Sequence, residues 1–157
     1  MSRRITPASL ARAADVNRVW ASKAIELGLM NPEHLDGDDV IVLRVFAVAD
    51  QIVWPGDRRS RSEARNMAIW HSVVVSTARD ALNDAQFNST SLLWVTKDGV
   101  KVTHTMAEAL VLLSDASWST QCSFHIPIGV WVAELPDGFS LPSRIVTDPA
   151  HVQELLL

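Results

Sequence analysis

The sequence predicts an α+β fold, with a helical N-terminal domain, a linking helix and a small C-terminal α+β domain that carries a β-hairpin. Three observations predict it. Apolar residues recur at spacings of three and four as far as Leu82, the spacing of helices that bury one face. Beyond residue 90 the period changes to two, the alternation of strands. Charge divides the chain in the same way: ten basic and nine acidic residues lie up to Arg65, and four basic and nine acidic from Asn66 onward, so the net −4 combines a +1 part with a −5 part. The turn Trp54-Pro55-Gly56-Asp57 punctuates this change. The expected units are therefore 1–56, a linking segment 57–85 and 86–157.

Composition narrows the function classes. With 157 residues, 48% of them apolar and 20% charged, the chain can bury a sizeable core, and global disorder is excluded. The single Cys122 excludes an intrachain disulfide framework and a cysteine-rich zinc site, so no metal is expected. Two arginines follow Met1 without an apolar run behind them, which is not the pattern of a secretory signal. Apolar runs such as Val40 to Ala49 are too short to span a bilayer, so a cytoplasmic protein with no membrane partner is expected. Eleven of the fourteen basic residues are arginine and Ala and Val abound, a bias that points to a GC-rich, bacterial or phage genome.

Taken in order, Thr6-Pro7 starts a helix: the hydroxyl caps free amides, and proline at the first helical position wastes no hydrogen bond. That helix is expected to run to about Ala14. Asp15-Val16-Asn17 interrupts it, and Asn17 caps a second helix to Leu27, where Gly28 can close it in the left-handed conformation. The apolar positions Leu10, Ala11, Ala14, Val16, Ala21, Ala24 and Leu27 include alanines where the two helices must cross closely. This is the pattern of a helix-turn-helix, whose second helix enters the DNA major groove.

The segment Leu10-Ala11-Arg12-Ala13-Ala14-Asp15-Val16-Asn17, followed after Leu27 by Gly28-Leu29-Met30-Asn31-Pro32, resembles the start of MerR-type winged-helix DNA-binding domains. In that family an "LA-x-x-x-GV-S" segment precedes a recognition helix ending in "GLL-x-P", and the spacing matches without a gap. Asp38-Asp39-Val40, with Leu43 and Phe46, resembles the family's third helix, and the likeness covers roughly Ile5 to Val53. The resemblance implies a winged-helix-like N-terminal domain that binds double-stranded DNA. Two positions depart from the pattern. Asp15 stands where the family has its turn glycine, and the Gly-Tyr-Arg wing motif is missing, its place taken by the short, acidic Glu33-His34-Leu35-Asp36-Gly37.

Candidate DNA contacts follow from that reading. Arg18 can donate two hydrogen bonds to guanine, while Asn17 and Ser22 can meet phosphate or a base edge, and Lys23 suits phosphate. Trp20 either contacts a base or packs against the third helix. Arg3 and Arg4, beside Thr6, either form an arm to phosphates and the minor groove or a solvated terminus. Arg44 on the third helix, with Arg58, Arg59 and Arg61 (and Arg65 behind them), either extends a phosphate-binding patch or forms a solvated face.

The run Val40 to Ala49 is β-branched enough to read as a buried strand, yet the Asp38 cap and an extent to Val53 favour a helix. Ser60-Arg61-Ser62-Glu63 is a capping box opening a helix to about Leu82, whose stripe of Ala64, Met67, His71, Val74, Val75, Ala78 and Leu82 could mediate a homodimer or pack on the chain's own C-terminal domain. Ser91 to Thr96 and Val100 to Thr105, joined by Lys97-Asp98-Gly99, read as a β-hairpin. A helix from Met106 to about Leu113 follows, then strands at Gln121 to Ile126 and Gly129 to Leu135, and a short terminal helix capped by Asp148-Pro149. Trp94, Trp118 and Trp131 are expected to form this domain's core.

No P-loop, dinucleotide fingerprint, nucleophile elbow or metalloprotease motif is present, and the five histidines, His34, His71, His104, His125 and His151, are scattered. On a strand, Cys122 and His125 would point to opposite faces. The sequence therefore leads to a non-enzymatic, cofactor-free regulator, a repressor that binds specific double-stranded DNA. The alternatives are a protein-interaction adaptor or antitoxin-like module, acting through the C-terminal domain, and a small-molecule sensor, each with a degenerate helix-turn-helix.

Overall fold

Thr6 and Ser9 start the first helix by capping one another: the Ser9 amide donates to Thr6 Oγ1 at 3.2 Å and the Thr6 amide to Ser9 Oγ at 2.9 Å. A computed structural model describes residues 4–54, 61–139 and 141, with 61–69 through the backbone alone. Helix α1 spans Pro7–Ala13 and α2 spans Arg18–Glu26, the latter capped by Asn17 Oδ1, which accepts from the Val19 amide at 3.0 Å. Helix α3 is Gly37–Gln51, and α4 is Arg61–Asn83. The cap of α3 is Asp36 rather than Asp38, because Asp36 and Asp39 form the reciprocal box in which each carboxylate accepts from the other's backbone amide. The β-branched run from Val40 is thus helical. Nearly every residue from Gly37 to Asp50 is buried, and packing on all sides overrides strand propensity.

The hairpin forms, but its register puts Lys97-Asp98 at the turn between Thr96 and Gly99, and neither Asp98 nor Gly99 takes a positive φ, so the turn is not the primed one that Asp-Gly suits. Strand β1, Leu92–Thr96, pairs antiparallel with β2, Val100–Thr103. Helices α5, Met106–Ser114, and α6, Ala116–Ser119, follow, and β3, Ser123–Ile126, then pairs antiparallel with the other edge of β1 to give the order β2-β1-β3. The stretch expected as a fourth strand is instead helix α7, Ile128–Ala133. Pro127 ends the strand, and Ile128 and Val132 turn one helical face into the core. Gly129 permits the approach, since a side chain there would collide with the backbone of Asn88 and Ser89, and its amide donates to the Ser91 carbonyl at 3.0 Å. Short α6 was not expected from the sequence either.

The fold is α+β, with seven helices and a three-stranded antiparallel sheet among the described residues. The sheet separates two apolar regions. Leu93, Val95 and Ile126 face a continuous core that reaches from Leu10 in α1 through α2, α3 and α4 to Val132 in α7. Trp94 points the other way and meets Ala109, Leu112 and Trp118 beneath α5 and α6. The three tryptophans expected to share a core are therefore divided, because alternation along β1 sends Trp94 away from Trp131, which lies half-buried on the large core. His71, Val74, Val75, Ala78, Ala81 and Leu82 of α4 are buried, so the C-terminal part of the α4 stripe packs within the chain. Ser60 and the Asp148-Pro149 cap lie outside the described residues.

Candidate nucleic-acid interface

Two consecutive helix endings shape the α1–α2 unit. At the end of α1 the Asp15 amide donates to the Arg12 carbonyl and the Val16 amide to the Ala11 carbonyl, at 3.2 and 3.0 Å. At the end of α2 Gly28 donates to Ile25 and Leu29 to Ala24, at 3.0 and 2.9 Å. Both are the paired bonds that close a helix through one left-handed residue. That residue is Gly28 (φ 74°) in the second case and Asp15 (φ 55°) in the first. Asp15 thus adopts the conformation for which glycine is suited, at a cost of about 1 kcal/mol. The departure at residue 15 leaves the turn intact.

Behind the turn, Leu10, Ala11, Ala14, Ala21 and Ala24 are buried, and the four small alanines let α1 and α2 approach on top of α3. Burial of Ala21 and Ala24 turns Arg18, Val19, Ser22, Lys23 and Glu26 outward. The segment between α2 and α3 holds turns and no strand.

The expected contact residues separate into groups. Arg18 and Ser22 lie one turn apart on the exposed face of α2, with Asn17 exposed at its start. Lys23 is on that face too, but its Nζ is 2.8 Å from Asp50 Oδ2 on α3. Trp20 is half-buried and meets Phe46 of α3 edge to face, with ring centroids 5.9 Å apart, so the packing alternative describes its position. Thr6 is exposed and its hydroxyl caps α1. Arg4 is exposed nearby in the sequence. Arg44 does not share the α2 face; its guanidinium lies 4.2 Å from the ring centroid of Trp131 on α7. Arg3, Arg58 and Arg59 lie outside the described residues, and Arg61 opens α4 with only its backbone described. Sequence reasoning overlooked Val19 and Glu26. Their spacings of three and four from Ser22 and Lys23 were the available signal.

Helix α2 is anchored from beneath. Asp50 also approaches His71 of α4, its Oδ1 3.1 Å from the Nε2, so one buried carboxylate joins the exposed helix to the longest one. Arg79 of α4 donates to Asp39 Oδ1 at 2.7 Å and to the Leu29 carbonyl at 3.0 Å, fixing the segment that leaves α2. Burial pushes the Asp39 carboxyl above its ordinary value, and the Arg79 hydrogen bond pulls against that shift.

A second constellation lies where the loop after α4 meets the end of the hairpin. Ser91 Oγ is 2.8 Å from His104 Nδ1, and His104 Nε2 is 3.5 Å from Asp84 Oδ2. The trio has the residue types of a hydrolase triad but not its access. Ser91 is fully buried and its Oγ accepts from the Asn88 amide at 3.0 Å, while Asn88 and Thr90 both donate to the His104 carbonyl at 2.7 Å. The network ties the loop after α4 to the end of the hairpin.

Among the described residues no group of three or more His, Cys, Asp or Glu side chains could hold a metal ion, and no helix is long and apolar enough to cross a membrane. The chain matches no family model, no curated protein and no solved structure.

Proposed function

We propose that the protein binds specific double-stranded DNA and acts as a cytoplasmic transcriptional regulator, a repressor of bacterial, phage or plasmid origin, through a MerR-like helix-turn-helix of the winged-helix kind. The observation that carries this reading is the α1–α2 unit: a tight left-handed turn at Asp15, closely crossed helices, and an outward face on α2 bearing Arg18 and Ser22. The winged-helix likeness belongs to the proposal, as does a homodimer on a palindromic site. Fragments of the parent genome bound by the protein, followed by footprinting, test it. Arg18→Ala is expected to weaken binding to the selected site about 10-fold or more, and raised salt to weaken it further. Absence of any duplex binding, or an affinity indifferent to both changes, refutes it.

A second reading, a protein-interaction module, draws support from α5. Met106, Leu110, Val111 and Leu113 are 61, 62, 72 and 47% exposed on that one helix, an aliphatic surface costly to leave in water. It expects a stable protein complex lost on Leu110→Glu, with no shift of duplex DNA.

A further inference from the structure

We propose that Val19 reads the C5 methyl group of a pyrimidine, thymine or 5-methylcytosine, in the DNA major groove. The inference rests on the DNA-binding reading above and names the chemistry that α2 recognises. Val19 is 68% exposed in the first turn of α2, and Ala21 and Ala24 hold the opposite face of that helix in the core. A branched aliphatic side chain gains nothing for a helix by facing water, since it has lower helix propensity than alanine and leaves its apolar surface solvated. Its neighbours on the exposed face at spacings of three and four are Ser22 and Lys23. The serine is too short to cover it, and the Lys23 ammonium is drawn to Asp50. Trp20 is turned into Phe46 and the Asn17 oxygen caps the helix. The outward surface left for base edges thus centres on Arg18, Val19 and Ser22. Arg18 and Ser22 supply hydrogen-bonding groups, and Val19 supplies apolar surface. The C5 methyl is the apolar group that base pairs present in the major groove, so apolar contact there distinguishes thymine from cytosine and from uracil.

The test uses the full chain and its selected duplex. Each thymine in turn is replaced by uracil, and each cytosine by 5-methylcytosine. One thymine-to-uracil replacement is expected to weaken binding about fourfold, the effect of exposing one methyl group, or one methylated cytosine to strengthen it as much. The two arms separate the two sources of the methyl. In Val19→Ser and in Val19→Asn, neither of which carries a methyl group, the preference is expected to fall to near unity at that position, with the Arg18→Ala effect and the unfolding midpoint retained. Binding that responds to no methyl at any position overturns the inference and leaves the DNA-binding reading standing. So does a methyl preference that both Val19 variants preserve. Failure to bind any duplex overturns both.

Discussion

The guanidinium of Arg79 donates to Asp39 Oδ1 at 2.7 Å, binding the longest helix to the buried start of α3. The same nitrogen reaches the Leu29 carbonyl, so one arginine positions the end of α2 and the beginning of α3 together. Burial raises the Asp39 carboxyl from its ordinary value of 3.8, while the arginine lowers it.

Removing that arginine gives a pH-dependent loss. The folded chain holds the Asp39 proton more tightly than the unfolded chain, so this group favours folding below 3.8 and the contribution is lost as pH rises through the folded value. Arg79→Met lifts the folded value further by stranding a buried carboxylate. The variant is expected to lose about 3 kcal/mol at neutral pH, and less on acidification toward 3.8. Urea unfolding at both pH values measures this, and an equal loss at both contradicts it.

At the turn, Asp15 carries φ 55° without a glycine's freedom. Asp15→Gly is expected to keep or raise stability, whereas Asp15→Ala costs about 1 kcal/mol, because alanine has no short polar side chain to ease the left-handed conformation. Thermal midpoints should differ by about 2–4 °C between the two variants.

Helix α7 depends on a missing side chain. In Gly129→Ala the added carbon meets the Asn88 and Ser89 backbone, which cannot give way as a flexible side chain could. A loss of about 3 kcal/mol is expected, and Trp131 fluorescence should report repacking under Arg44, whose guanidinium lies 4.2 Å away.

On the exposed face of α2, the proposed DNA-binding function expects the two cations to behave differently. Arg18 is exposed, and Lys23 lies 2.8 Å from Asp50. Lys23→Met should weaken duplex binding less than Arg18→Ala does, by about 1 kcal/mol against 1–3 kcal/mol, and similarly across sequences. Electrophoretic shifts with matched and mismatched duplexes measure both; a larger loss from Lys23→Met refutes this ordering.

Local chemistry made much of the fold legible. Thr6-Pro7, Asn17, Gly28 and the polar Lys97-Asp98-Gly99 segment between two alternating stretches act within a few residues of themselves, so capping rules and strand periodicity locate α1, α2, β1 and β2. Helix α7 was illegible because Gly129-Val130-Trp131-Val132 has strand composition, and its helical state comes from contacts with α3 and β1. Of the candidate interface, the sequence located the outward residues of α2 but could not tell which were already engaged. Lys23 is held by a residue 27 positions away and Trp20 by one 26 away.

The sequence by itself determined the two-helix unit, the hairpin and the α+β class, because helix caps, short polar turns and apolar periods are written within one element. Only the tertiary structure decided that Ile128 to Ala133 is a helix, that Trp94 and Trp131 face different cores, and that Arg44 lies against α7 and not beside Arg18. Those outcomes turn on which surfaces meet, and burial between distant segments outweighs the small propensity differences that a local reading can weigh.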